Sequence, residues 1–250
     1  LLGIGGGMVL TPFLTLLLSY ADIPTEHIVH VAIATSMGTI LFTSLSSVRA
    51  HASRGAVLWK VVAAIAPGIL LGGILGAQIT GYLSTFWVAL IFAGFVGYSA
   101  TKMFFAKKVA ASRGLPGTAG MVGAGTAIGT ISALVGAGGG FISVPFLTYC
   151  NVPMHKAIGT SSALGFPIAF AGTIGYIVSG WAEPTLPGFP YTLGYIHLPA
   201  LFSVAVMSIF TAPIGAKVAH SIDTKPLKRI FASLLYVLAS YMLYRAIMAV

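Results

Sequence analysis

Three glycines in a row, with proline at a fixed distance behind them, expose backbone N–H groups that can hold an anion. This chain makes that arrangement twice. Gly3-Ile-Gly5-Gly6-Gly7-Met-Val-Leu-Thr11-Pro12-Phe-Leu-Thr15 is answered, at an offset of 133, by Gly136-Ala-Gly138-Gly139-Gly140-Phe-Ile-Ser143-Val-Pro145-Phe-Leu-Thr148. Consecutive glycines and a proline do not sustain a regular helix, so each copy breaks an apolar segment, with Pro12 and Pro145 as structural breaks. A hydroxyl just before proline suits a helix N-cap with proline in the first turn, which predicts half-helices starting near Thr11 and Ser143. The unpaired N–H groups and positive dipole end of such a half-helix bind anions. The chemistry is therefore binding rather than bond-making, with Gly5, Gly6, Gly7, Gly138, Gly139 and Gly140 as the candidate binding backbone. Glycines that merely allow helices to pack need spacing rather than runs, as in Gly68-x3-Gly72-x3-Gly76, which reads as a packing stripe.

Hydroxyls form a second constellation. Thr35 and Ser36 follow the first break, and Thr160, Ser161 and Ser162 follow the second. They are placed to donate to an oxyanion; the alternative is bonding between helices or back to their own helix. An intramembrane serine hydrolase using Ser161 or Ser162 with His197 is the competing class. No nucleophile elbow surrounds either serine, and the first unit repeats the Thr-Ser pair without a matching histidine, so the chain does not read as an enzyme. No phosphate-binding Gly-x4-Gly-Lys-Ser/Thr motif is present. His27 and His30, near Asp22 and Glu26, lack helical metal-ligand spacing and read as a wet acidic loop, so no metal and no cofactor is expected. Cys150 is the single cysteine. His51 and His155 are the other titratable candidates if protons are the coupling ion.

The elements that must position these groups are membrane helices. Only 7% of residues are charged and 57% are hydrophobic; a soluble domain carries about 25% charged residues, so the chain reads as an all-α polytopic membrane protein. At roughly twenty apolar residues per crossing, its length allows about seven or eight membrane segments. The net charge of +9 comes without a basic run interleaved with aromatics, which argues for topology-setting loops and against nucleic acid.

The repeat extends past the glycines. Ile23-Pro24 matches Val152-Pro153, Ala34-Thr35-Ser36 matches Gly159-Thr160-Ser161, Pro67 matches Pro199, and Ile91-Phe92-Ala93 matches Ile230-Phe231-Ala232. Residues 1–106 are then one repeat, 107–117 a basic linker, and 118–250 the second repeat. Each repeat is a glycine-broken segment plus three transmembrane helices, near 28–50, 57–80 and 85–106, then 156–179, 196–219 and 226–249. Copy two follows an apolar run, 118–134, that copy one lacks; the repeat thus predicts about sixteen further residues upstream of Leu1. If the broken segments are re-entrant, the repeats are inverted and 12 of the 13 Lys and Arg residues fall on one face, with Arg245 alone on the other. If they cross fully, the split is an uninformative 8 to 5. The positive-inside rule prefers inverted repeats, with the 102–117 linker cytoplasmic and the C-terminus outside an inner (plasma) membrane.

At these residues the chain resembles the sulfite exporter TauE/SafE family. The resemblance rests on Gly3 to Pro12, Gly136 to Pro145, Gly159-Thr160-Ser161, Arg54-Gly55-Ala-Val57 and Leu227-Lys228-Arg229-Ile-Phe231, with Ala34 in the first copy departing from the glycine of the second. It implies a secondary carrier, mostly an exporter, of small sulfur-containing anions such as sulfite, sulfoacetate, thiosulfate or organosulfonates. An anion channel on the same scaffold is the alternative.

Overall fold

The computed structural model describes residues 6–20, 23–105, 114–183, 190–220 and 224–248, with only the helix path given at 209, 212–220, 224 and 225. Its helices are α1 (Gly7–Leu18), α2 (Ile28–Ala52), α3 (Trp59–Tyr82), α4 (Thr85–Phe105), α5 (Thr118–Val135), α6 (Gly140–Tyr149), α7 (Met154–Trp181), α8 (Leu198–His220) and α9 (Thr224–Met248). A two-stranded antiparallel hairpin, β1 (Thr192–Leu193) and β2 (Ile196–His197), precedes α8. Among the described residues six helices, α2, α3, α4, α5, α7 and most of α9, are long and apolar enough to cross a bilayer, while α1 and α6 are short apolar helices. The helix bounds of α2, α3, α4, α7, α8 and α9 lie within about two residues of the expected ones, the ordinary uncertainty of helix ends, but α5 is long enough to cross and only a shorter part of α8, Leu198–Ser208, is described as apolar helix. The Asp22 and Gly5 expectations, and the linker basic residues Lys107, Lys108 and Arg113, lie outside the described residues.

Lipid outside and protein inside set which residues face where. In α3, Leu70, Leu71, Ile74, Leu75 and Ile79 are exposed, while Gly68, Ile69, Gly72, Gly73, Gly76 and Ala77 are buried. Lipid tails are as apolar as leucine, so there is no hydrophobic reason to bury the large side chains, and close packing of small ones decides the contact. The expected packing stripe does this against α5. A Cβ on Gly68 would lie 2.0 Å from the carbonyl oxygen of Val122, one on Gly72 2.1 Å from that of Thr126, and one on Gly76 2.5 Å from that of Thr130. Gly125 and Gly129 answer from α5, 2.3 and 2.5 Å from the carbonyls of Ile65 and Ile69.

Those pairs also fix direction. Residue numbers rise together in α3 and α5, so the two helices run the same way. So do α3 and α7, because Gly159 sits against Ala56 at one end while Gly175 packs on Ala77 and Ser179 on Gly81 at the other. Two helices that follow each other in the chain, α5 and α7, thus start at the same end of the molecule. The turn at 136–139 and the ten-residue α6 bring the chain back between them. At that common end lie Arg54, Lys60, Lys102, Lys156, Lys228 and Arg229, the last over the Phe104 ring. At the opposite end lie Glu26, Glu183 and Arg245.

α2 and α7 form the centre. Of the α2 span 78% is inside protein, against 28% of the α9 span, which lies outside against α4. Pro67 and Pro167 are carried inside α3 and α7.

Replacing Gly72 by alanine forces the Thr126 backbone to move and should cost about 1–3 kcal/mol, seen as a lower melting temperature in detergent. Gly94→Ala, with no described atom within 4 Å of the new methyl group, should leave it unchanged or raise it slightly.

Candidate functional site

The start of α1 touches the glycine turn that follows α5. α5 ends in a left-handed turn at Gly136 (φ 63°), whose N–H donates to the Ala133 carbonyl while Ala137 N–H donates to that of Ser132. Gly139 (φ 75°) then reverses the chain into α6. A side chain at Gly136 or Gly139 would have to adopt a backbone conformation that only glycine takes without cost. From the other repeat, α1 begins at Gly7 directly over this turn. A Cβ on Gly7 would lie 2.0 Å from the carbonyl oxygen of Gly136, and a Cβ on Gly136 would lie 2.9 Å from the hydroxyl oxygen of Thr11. Ser36 holds the two breaks to α2, its Oγ lying 3.4 Å from the Gly7 carbonyl oxygen and 3.3 Å from that of Gly136.

The helices open at the glycines, not at the residues before proline. Gly6 and Gly139 are the N-caps and no side chain caps either helix. Pro12 and Pro145 are the sixth residues of α1 and α6, well inside them. The expected half-helix starts at Thr11 and Ser143 are corrected on this point, and so is the role of Pro12 and Pro145 as breaks. A glycine run leaves the turn with no Cβ to place, so the helix can nucleate immediately after it. Ser143 therefore bonds back to the Gly139 carbonyl at 2.9 Å, as helical serines do. The first N–H groups of both helices have no intrahelical acceptor and point at the break region.

The predicted hydroxyls are buried around the breaks, with defined partners. The Thr35 hydroxyl oxygen accepts from the N–H of His197 at 3.0 Å, and the Thr160 oxygen accepts from the N–H of Leu58 at 3.0 Å. These two bonds are reciprocal: each threonine holds the residue that leads into a helix of the other half of the chain. Ser161 donates to Ser143 at 2.6 Å, because the single Ser143 hydrogen is directed to Gly139. Ser162, half-buried, bonds back to Ile158 at 3.0 Å and takes no part in the contact between breaks. Gly6 is exposed and a methyl group there meets no described atom within 4 Å, whereas Gly138 and Gly140 are buried with Gly7 and Gly139.

Two hydroxyls beside the breaks were not foreseen. Thr11 and Ser132, both fully buried, have no hydrogen-bond partner among the described residues. Ser132 lines a void too constricted to admit water, with Met8, Phe95, Ala137, Gly139, Phe141 and Ile142. The void is lined by the first residue after each glycine triplet, Met8 and Phe141. Among the described residues, no lysine or arginine lines it. Sequence offered no distinguishing signal for Ser132, since Thr126 and Thr130 are hydroxyl residues of the same helix.

A larger cavity, about 670 Å³, opens at the acidic end and is lined by Glu26, His27, His30, Glu183, Tyr195 and Arg245 among others. His30 was expected in a wet loop. It is in α2 and 3% exposed, because the helix begins at Ile28 and its first turn is packed under the α3–α4 corner and the hairpin. Burial, and secondarily Glu183, pushes the Tyr195 hydroxyl up to about 12. Burial lowers the pKa of His197, and its Nδ1 accepts from Ala200 N–H at 3.3 Å. Among the described residues no three of His, Cys, Asp and Glu are grouped as a metal site.

Known proteins share this sequence nearly end to end. The profile of the family described as sulfite exporter TauE/SafE matches residues 1–242. A probable membrane transporter protein of Haemophilus influenzae is 37% identical over 241 residues, covering 96% of this chain and 90% of that protein. One of Methanocaldococcus jannaschii is 27% identical over 97% of this chain and 89% of its own length. One of Bacillus subtilis is 27% identical over 91% and 87%. No solved structure matches significantly.

The geometry separates the glycines. Gly6→Ala should insert and melt like the unaltered protein, while Gly7→Ala, which collides with the Gly136 carbonyl, should lower the melting temperature by an amount corresponding to about 1–3 kcal/mol. Equal melting of the two variants would contradict the contact between breaks.

Proposed function

This chain belongs to the sulfite exporter TauE/SafE family and is a membrane transporter of that family, and from this premise we propose that it carries a small sulfur-containing oxyanion held between its two glycine breaks. One observation carries the reading. The N-termini of α1 and α6 converge beside Thr11 and Ser132, two fully buried hydroxyls with no partner among the described residues. A buried hydroxyl without a partner costs about 1–3 kcal/mol, so these groups are arranged for a ligand that supplies acceptors. An oxyanion does so, and orphan helix N–H groups and dipole ends complement its charge without a lysine or arginine.

In this account the glycine-broken segments are re-entrant and the repeats 1–106 and 118–250 are inverted about the 107–117 linker. The shared direction of α3, α5 and α7 supports this, as does the reciprocal pair Thr35–His197 and Thr160–Leu58. The described basic residues gather at the end that receives the linker, which makes that end cytoplasmic and puts the Arg245 end outside an inner membrane. Transport is then rocking of one repeat against the other around the breaks. Ser36, Thr35, Thr160 and Ser161 set the two breaks relative to their helices and exchange partners as the repeats move. The constricted void favours a carrier over an open channel, and the family description points to export of sulfite or a related organosulfonate.

Reconstituted protein should show saturable flux and counterflow with at least one of sulfite, thiosulfate, sulfoacetate, taurine and sulfate. Ser132→Ala should weaken apparent affinity for that anion about tenfold or more, the loss expected for one hydrogen bond to a charged ligand. Flux of none of the five, or flux indifferent to both Ser132→Ala and Thr11→Val, would overturn the reading.

A further inference from the structure

The hydrogen-bonding atoms that meet the His30 ring are acceptors. Its Nε2 lies 3.1 Å from the Thr80 carbonyl oxygen and 3.0 Å from that of Leu83. Both are acceptors, which assigns a hydrogen to Nε2. Its Nδ1 lies 3.5 Å from the hydroxyl oxygen of Thr85. Thr85 spends its one hydrogen on the carbonyl of Glu26, so toward Nδ1 it offers a lone pair. In the neutral ring two lone pairs therefore face each other. A second proton on Nδ1 turns this apposition into a hydrogen bond.

The rest of the shell holds an aromatic face and two carboxylates, with Arg245 as the opposing charge. The Tyr195 ring stacks on the imidazole at 5.4 Å and 25° between planes, the arrangement that favours a cation over an aromatic face. The titratable and charged groups that face the site are His27 on its own segment, Glu26 before it, Tyr82 from α3, Glu183 beyond α7, Tyr195 from the hairpin and Arg245 from α9. Glu26 and Glu183 supply negative charge, and each also lies within 4 Å of His27. The roughly 670 Å³ cavity at the acidic end brings water and protons to this shell.

The site is joined to both glycine breaks. Tyr195 is two residues before His197, whose N–H is held by Thr35, and Thr35 precedes the Ser36 that bridges Gly7 and Gly136. On the other side, the Tyr176 hydroxyl reaches Thr80 at 3.1 Å and the Ala133 carbonyl at 2.8 Å, one turn before Gly136. We propose that His30 is a proton-binding site of this transporter, and that its protonation seats the β1–β2 hairpin over the glycine breaks. The role in a transport cycle rests on the oxyanion reading above; the proton site itself does not.

The test is the pH dependence of hairpin access in the full chain, in lipid, without any anion. In a Cys150→Ala background, Leu193→Cys places one thiol on the exposed face of β1 for labelling by a maleimide. Its labelling rate, divided by that of an unstructured thiol peptide, should rise at least about fivefold as pH rises through the histidine range of roughly 5 to 8, a coupling of ordinary size. His30→Gln, whose amide still donates to the two carbonyls but does not titrate, should flatten the profile. Thr85→Val, which keeps the ring and deletes the acceptor, should move the midpoint to lower pH. A flat profile in the unaltered ring, a His30→Gln profile that follows the original, or an unmoved midpoint in Thr85→Val would each overturn the proposal. Anion flux with a flat profile would leave the transport reading standing without the proton site. A His30-dependent profile with none of the five anions carried would do the reverse.

Discussion

Broken backbone at membrane depth must find partners, and everything else in this protein follows from how that demand is met. Each glycine run exposes carbonyl and N–H groups that lipid cannot satisfy, at several kcal/mol for each group left bare. Ser36 meets part of it by lying between the Gly7 and Gly136 carbonyls, one from each repeat. Because a single hydroxyl serves both, the breaks cannot be placed independently. That constraint puts α1 directly over the turn after α5, with no room for a methyl group at Gly7. Beside this contact the Thr11 and Ser132 hydroxyls, near the first turns of α1 and α6, are left without a partner among the described residues.

Positioning this centre requires a scaffold that packs tightly where hydrophobicity gives no help. The interlocked glycines of α3 and α5 provide it, backbone against backbone, and leave the large aliphatic side chains for lipid. α5 is thereby fixed along its length, so its C-terminal turn at Gly136 has a definite depth. On the second break, Ser161 donates to Ser143, whose hydrogen goes on to Gly139, so α7 and α6 are registered through two hydroxyls and a carbonyl.

Much of this was legible in the sequence, for identifiable reasons. Helix spans follow from apolar length, which is nearly one-dimensional information. The glycine runs at a constant offset announced paired breaks because no other role needs three glycines in succession twice. Thr35, Ser36, Thr160 and Ser161 stand out because they recur at matching places; Ser36 meets Gly7 and Gly136 and Ser161 meets Ser143, while Thr35 and Thr160 hold His197 and Leu58. Their partners were not legible, since a bond such as Thr160 to Leu58 joins residues 102 apart in the chain. The helix starts were misread because the local N-cap rule, applied at Thr11 and Ser143, competes with a turn whose geometry is set by contact with the other repeat. His30 was misread for a related reason: a polar residue beside charged ones looks like a loop until the corner that covers it is known. Thr11 and Ser132 carry no local signal of being left without a partner.

The central claim is that anion binding takes place between the two breaks. Selenite, a heavier analogue of sulfite, allows this to be seen directly by anomalous scattering from crystals of the full chain soaked in it. The account predicts a selenium peak within hydrogen-bonding reach of the Ser132 hydroxyl and the N-terminal N–H groups of α1 and α6. A peak confined to the cavity beside Arg245, with the space between the breaks empty, would contradict it.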